Sequence, residues 1–384
     1  MAHAARPMAL AAALPRERYE ATVAVPEQYA RWRPQHLRQI TLEAQAPDIF
    51  AERLRAGRPM FSKSRLEGYV VQDLDLIRET RPDVIVGDFR LSLPVSAGEA
   101  GVPYVALSNA YWSPDRPFRA VRPTLDLFRD WPAPLADAAF HALAPTAFRW
   151  HARPVQDLMT AHGFDGIDGD VRRAFTQADV ALYADLPGLF PDIVESPGRR
   201  FLGPVTWEPP VEAPAWWGEL QADAPIAYLT LGSSGDPRNV EPIARWLLDA
   251  GFTVMTATAG RIRLEGDERR LFVADYLPGL AACRRAALVV CNGGSPTVTQ
   301  ALVEGRPVLG ICSNMDQFLN MRAVQSRGAG LALRADRLTR SKFENALARL
   351  DGRDFAATAN TLACEARALD PAAILAQTLD HLCA

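Results

Sequence analysis

Short apolar runs recur along the chain, separated by stretches in which apolar residues return every three or four positions. "ATVAV" (21–25), "VIVGDF" (84–89), "YVALS" (104–108), "VALYAD" (180–185), "IAYLTLG" (226–232), "FTVMTATA" (252–259), "LFVAD" (271–275), "ALVVC" (287–291) and "PVLGICS" (307–313) are almost continuously apolar. Strands buried on both faces read this way. "VEPIARWLLDAG" (240–251) and "SPTVTQALVEG" (295–305) carry the helical period instead. The alternation predicts a doubly wound α/β architecture, with parallel sheets covered by helices on both faces.

The period breaks at "RRFLGPVTWEPPVEAPAWWGEL" (199–220), rich in proline and tryptophan, which reads as a linker. Two α/β domains are therefore expected, over 1–198 and 221–362, facing a cleft, with 363–384 as a final helix packing back toward the first. Residues 110–160 read as helices and loops inserted after a strand. The first domain looks incomplete. Residues 5–14 match its first helix and "ATVAV" its second strand, yet only Met1-Ala2-His3-Ala4 stand where the first strand belongs. That strand is expected to be missing; a chain that begins late accounts for this better than a sheet with a hole at its centre.

Of the 384 residues, 48% are apolar, enough for a core in each domain, and the formal net charge of −3, without any dense Lys/Arg run, gives no reason to expect nucleic acid. The five cysteines (Cys283, Cys291, Cys312, Cys364, Cys383) show no metal or redox spacing, and three lie in or beside strands, where buried free thiols are expected. No apolar run is long enough to span a membrane. "MAHAARPMALAAALPRERY" is superficially like a signal peptide, but Pro7 and Arg16-Glu17-Arg18 interrupt it, so a cytoplasmic location is expected.

In "VVCNGGSPTVTQALVEGRPVLGICSNMDQFLN" (289–320), Gly293 and Gly294 allow a tight turn and a close approach by a ligand. Ser295 suits an N-cap and Pro296 the first helical position, so a helix should start there with its N–H groups open to an anion. "YLTLGSSGDP" (228–237) repeats the strand–turn–helix theme at Gly232-Ser233-Ser234-Gly235. Two such turns suit a diphosphate. Neither fits the P-loop or the dinucleotide fingerprint, which argues against ATP hydrolysis and nicotinamide binding.

Residues 271–330 resemble the donor-binding signature of the family-one, UDP-sugar-dependent glycosyltransferases of GT-B fold. "YLPGLA" (276–281) resembles their base-recognition turn, which implies Tyr276 over the nucleobase. "NGGSPTVTQAL" (292–302) resembles their phosphate and ribose segment, implying donor contacts from Asn292, Gly293, Gly294, Ser295, Thr297 and Gln300 beside Gly232, Ser233 and Ser234. The family usually has His at the position of Asn292 and Glu at that of Gln300. Both replacements keep hydrogen-bonding capacity and lose charge. "DQFLN" (316–320) resembles the closing pair, implying that Asp316 and Gln317 hold sugar hydroxyls.

The resemblance implies an inverting transfer from a nucleotide diphosphate sugar, UDP foremost, to a hydroxyl. "HAARPMALAAAL" (3–14) resembles the family's first loop and helix, which makes His3 the base, and Asp88 stands where the family has the carboxylate that orients it. No metal is expected: "DLD" (73–75) and "DGD" (168–170) read as a helix and a turn. No cofactor is expected beyond the nucleotide sugar as co-substrate. "NAYWSPDRPFRAVRP" (109–123) should line the acceptor side and suits a small aryl, lipid or glycan acceptor. Arg and aromatic residues interleave in "FRDWPAP" (128–134) and "FRWHARP" (148–154), as in a weak membrane-surface contact, although packing of a helical lid is the stronger expectation. The competing readings are another GT-B enzyme, a nucleotide-sugar epimerase or hydrolase, and a non-catalytic nucleotide-sugar-binding protein.

Overall fold

A computed structural model describes residues 2–118, 120–208, 210–220, 224–267, 269–351 and 354–383. Met1, Arg119 and Pro209, which fall within stretches singled out above, lie outside that set. The chain forms two compact units, Met1–Val205 with Asp370–Ala384, and Thr206–Leu369.

In the first unit the elements run α1 (Ala2–Ala13), β1 (Thr22–Val25), β2 (Arg38–Thr41), α2 (Pro47–Arg55), α3 (Lys63–Thr80), β3 (Ile85–Asp88), α4 (Leu93–Ala100), β4 (Tyr104–Ser108), α5 (Ala133–Ala161), β5 (Val180–Tyr183) and β6 (Arg199–Phe201). Strands β3-β4-β5-β6 form one parallel sheet in that order, with Val86 opposite Val105 and Leu107 opposite Leu182. Strands β1 and β2 form a separate parallel pair, and among the described residues no ladder joins the two. Helix α1 packs on both. Its Ala4 and Met8 meet Val23 and Val25, and its Leu10 and Leu14 meet Val105 and Leu182. His3 therefore sits in the first turn of α1, not in a loop ahead of it.

The second unit holds β7 (Ile226–Thr230), α6 (Val240–Asp249), β8 (Thr253–Ala257), β9 (Leu271–Ala274), α7 (Gly279–Arg285), β10 (Leu288–Cys291), α8 (Ser295–Val303), β11 (Val308–Cys312), α9 (Met315–Arg327), β12 (Gly330–Arg334), α10 (Arg340–Asp351) and α11 (Phe355–Arg367). The sheet order is β12-β11-β10-β7-β8-β9, all parallel. The chain runs outward from β7 to β9, then returns to the other side of β7. That reversal opens a crevice at the carboxyl ends of β7 and β10, where ligands of such sheets bind. Leu229, Val290, Leu309, Ile243 and Phe343 fill the core beneath. Cys283, Cys291 and Cys312 are buried free thiols in this unit.

Helix α12 (Pro371–Leu382) belongs to the first unit. Its Leu375 and Leu379 join Leu10 and Leu14, and Tyr19 donates to Asp380 at 2.6 Å.

Three strands were not anticipated. β2 and β12 carry arginine and polar positions that mask their pattern, and β6 lies inside the expected linker, three residues long and opening on two arginines. Among the described residues no helix is long and apolar enough to cross a membrane. The C-terminal half of α5 packs through Ala152, Val155 and Leu158 against the cluster holding Leu66 of α3 and Val95 of α4, while Leu135, Leu143 and Trp150 face outward.

Candidate functional site

Strand β3 ends at Asp88, and the first two turns of α1 bring His3 and Arg6, three residues apart on one face, to meet it. His3 Nδ1 lies 2.6 Å from Asp88 Oδ1. Arg6 donates Nε to Oδ2 at 2.8 Å and Nη2 to Oδ1 at 2.9 Å. Its Nη1 donates to Asn109 Oδ1 at 3.0 Å, and Asn109 Nδ2 donates onward to the Asp185 carboxylate. Asp88 is almost fully buried, whereas the His3 side chain is 49% exposed.

Burial pushes the Asp88 carboxyl up. The charge of Arg6, then that of His3, and the hydrogen bonds from both outweigh this and hold it below the ordinary carboxylate value. An ionised Asp88 only accepts, so His3 Nδ1 carries a proton, which in the neutral imidazole makes Nε2 the basic nitrogen. That is the arrangement of an oriented general base.

The ring is also fixed from the side. His3 stacks on Phe89 at 4.6 Å between centroids, with 18° between the planes. Phe89 has φ +61°, an unusual conformation for an aromatic residue. The next residue holds it: Arg90 Nε donates to Asp73 at 3.0 Å, and Asp73 accepts also from Ser92 and Ser96. The first Asp of "DLD" is thus spent on the loop that carries Phe89. From Phe89 a tract of half-buried rings continues through Phe175 at 5.5 Å, Trp112 at 5.1 Å and Phe118 at 6.2 Å, ending on Phe148 at 4.8 Å. Trp112 and Phe118 come from 109–123, whereas Tyr111 is buried against Phe190.

In the second unit the two glycine-rich turns meet at the crevice between β7 and β10. Asn292 Nδ2 donates to Ser234 Oγ at 2.9 Å, and Gln317 Nε2 donates to the same oxygen at 3.2 Å. Gly232 has φ +56° and Gly293 φ +81°. A Cβ on Gly293 would stand 2.7 Å from Cys312 Sγ and from Met321 Cγ, and Asn320 Nδ2 holds the Gly293 carbonyl at 2.9 Å. The turn is pinned from behind, which leaves its open face to the crevice.

Several expected roles change in detail. The N-cap of α8 is Gly294, not Ser295. Ser295 and Pro296 are already helical, and Gly294, without a side chain, makes no side-chain cap hydrogen bond. Asn292 Oδ1 accepts from Gly294 N at 3.0 Å. The second turn does not lead straight into a helix. A single 3-10 turn over Pro237–Asn239 intervenes before α6, and Asp236 caps it by accepting from Arg238 N. One helix start, at α8, therefore faces the crevice, beside a Gly/Ser turn.

Gln317 is buried and closes a capping box with Asn314, its Oε1 accepting from Asn314 N at 3.3 Å and also from Ser313 N at 2.8 Å. This conflicts with a direct role on sugar hydroxyls. Neighbouring Asp316, in the first turn of α9, is half-buried. Gln300 donates Nε2 to the Trp207 carbonyl at 2.7 Å and fills the space above Gly279. Tyr276 is 39% exposed just past the end of β9, and Thr297 is half-buried in the first turn of α8. A cavity of about 620 Å³ runs along β9 and Trp216 and reaches the carboxyl edge of the sheet at Thr258 and Asp275.

A PGL/p-HBAD biosynthesis glycosyltransferase of Mycobacterium tuberculosis is 40% identical over 369 residues, covering 94% of this chain and 85% of that protein. The chain belongs to this glycosyltransferase family. A PGL/p-HBAD biosynthesis rhamnosyltransferase of Mycobacterium bovis is equally similar, 40% identical over 364 residues, with 91% of this chain and 81% of that protein covered. Residues 264–382 match the family described as Erythromycin biosynthesis protein CIII-like, C-terminal domain. The GT-B architecture is shared with the spinosyn rhamnosyltransferase SpnG complexed with thymidine diphosphate, with a TM-score of 0.68, 19% identity, and coverage of 97% of this chain and 95% of that one. This glycosyltransferase therefore carries two constellations at the carboxyl ends of its sheets. One is a buried carboxylate with a half-exposed imidazole; the other is a pair of glycine-rich turns sharing Ser234.

Proposed function

We propose that this glycosyltransferase moves a sugar from a nucleoside diphosphate to an aromatic hydroxyl, with inversion at the anomeric carbon. His3 takes the acceptor proton on Nε2 as the oxygen attacks opposite the leaving diphosphate, and Asp88 stabilises the imidazolium that forms. The observation that carries this reading is the 2.6 Å contact of His3 Nδ1 with an Asp88 that Arg6 keeps ionised. The ring tract that starts at Phe89 favours an aryl acceptor, because a flat ring stacks on it with its hydroxyl near His3.

On the donor side, the first turn of α8 and the Ser233 and Ser234 N–H groups of the Gly232–Gly235 turn receive the diphosphate; Gly232 N and Gly235 N are already bonded to Thr230 and Leu231. The leaving group's charge is then met by amides, and transfer proceeds without a divalent metal. The resemblance points to uridine. Gln300 stands where the family has Glu, and a neutral amide oxygen accepts from a ribose diol less strongly than a carboxylate, which favours the deoxyribose of a thymidine nucleotide. The thymidine diphosphate in the similar SpnG structure agrees with that.

The test is transfer to a phenolic acceptor from thymidine and uridine diphosphate sugars, with and without EDTA, following the anomeric configuration of the product by NMR. The expected product is of inverted configuration, formed in EDTA, with thymidine donors preferred. Retained configuration, or release of free sugar alone with a competent acceptor present, would overturn the reading.

A further inference from the structure

The donor turns as described lack a positive side chain. Asn292 is neutral, and the ionisable residue that directly follows the Gly232–Gly235 turn in sequence, Asp236, is negative. A diphosphate brings at least two negative charges to this place. The loop after β8 supplies a cation that the motifs give no hint of.

Arg261 lies on that loop. Its Nη1 donates to the carbonyl of Gly235, at 2.6 Å, and of Gly232, at 3.3 Å. It is thus seated on the same turn whose Ser234 receives Asn292 and Gln317. The side chain is exposed and forms no ion pair within 4.0 Å among the described residues. Asp236, the carboxylate closest in sequence to that turn, has both oxygens taken by Arg238. The loop is held in shape for this purpose. Ala259 adopts φ +56°, its N–H donates to the Asp275 carbonyl at 2.8 Å, and Thr258 Oγ1 donates to Asp275 Oδ1 at 3.1 Å. Asp275 directly precedes Tyr276. A non-glycine left-handed residue costs energy, and the surrounding bonds hold it there. Arg261 is therefore placed between the turn and the strand end that carries the expected base-stacking ring.

We propose that Arg261 is a diphosphate-binding residue of the donor site, its guanidinium anchored by one nitrogen on the Gly232–Gly235 carbonyls and offering Nε and Nη2 to phosphate oxygens. This rests on the donor reading given above. A planar guanidinium suits two phosphate oxygens at once. It takes the place of the positive side chain that Asn292 does not provide.

Calorimetric titration with thymidine and uridine mono- and diphosphates tests it, on the wild-type chain and on Arg261→Gln and Arg261→Lys. Arg261→Gln is expected to weaken diphosphate binding about tenfold to a hundredfold and monophosphate binding less than threefold. Arg261→Lys should recover part of the loss, and the salt dependence of diphosphate binding should flatten in Arg261→Gln. Equal losses for mono- and diphosphate would make Arg261 only a prop of the turn and overturn the assignment. Unchanged diphosphate affinity would overturn it too. A wild-type chain that binds neither nucleotide would overturn the donor reading itself, and the assignment with it.

Discussion

Arg6 grips Asp88 with two parallel hydrogen bonds, and Asp88 Oδ1 serves both Arg6 and His3. One carboxylate therefore has a structural duty toward a buried guanidinium and, in the proposed mechanism, a chemical duty toward a half-exposed imidazole. The two duties separate by mutation. His3→Ala should lower turnover by about 10²- to 10⁴-fold and leave the melting temperature nearly unchanged. Asp88→Ala should lower turnover similarly and also destabilise the fold by about 3–5 kcal/mol, because Arg6 is left buried without its counter-charge. Turnover and thermal unfolding measured together on both variants check this, and a His3→Ala chain that transfers sugar at the wild-type rate would remove His3 from the reaction.

Acid should remove the structural duty. The folded-state carboxyl of Asp88 sits below its ordinary value, so as pH falls the unfolded chain takes up the proton first. The stability it gives is complete above the ordinary carboxylate range, near pH 4, and is lost as pH drops through the folded value. The urea-midpoint gap between wild type and Asp88→Ala should stay level from about pH 7 to pH 5 and narrow below about pH 4. A gap that holds constant down to about pH 3 contradicts the ionised pair.

Gly293→Ala and Gly294→Ala should behave differently although they are neighbours. The first puts a methyl 2.7 Å from Cys312 and Met321 at φ +81°, and should cost about 2–4 kcal/mol. The second has ordinary negative φ, and its methyl meets Asn292 Oδ1 at 3.2 Å. It should cost less than about 1 kcal/mol yet raise the donor KM, because the methyl stands at the mouth of α8. Chemical unfolding beside donor kinetics separates the two effects.

Ser234→Ala removes the one oxygen that receives both Asn292 and Gln317. Two amides lose a partner, so a stability loss of about 1–3 kcal/mol and a raised donor KM are expected, with acceptor KM little changed. If donor KM did not move, the two turns would not act as one site.

The sheet of the second unit was legible because its inner strands are buried on both faces and leave uninterrupted apolar runs. β12, at its margin, carries Arg334 and escaped notice. Asp88 and the glycine turns were legible from residue type and position. Arg6 was not, because an arginine in an alanine-rich opening also fits a leader segment; only its spacing of three from His3 hinted at a shared face. The capping box of Gln317 was legible too, because Asn314 stands three residues before it. Arg261 depends on a left-handed alanine in a loop, which no sequence period encodes.

The three buried thiols of the second unit, Cys283, Cys291 and Cys312, are also shielded. Burial raises Cys283 and Cys312 well above the usual thiol value and Cys291 to about 12, while Cys364 and Cys383 lie at the surface. An alkylating reagent should thus label two cysteines in the native chain and five once the sheet of the second unit opens. Mass spectrometry of the labelled chain becomes a stoichiometric clock for that opening, and any ligand gripping the turns around Asn292 should slow it.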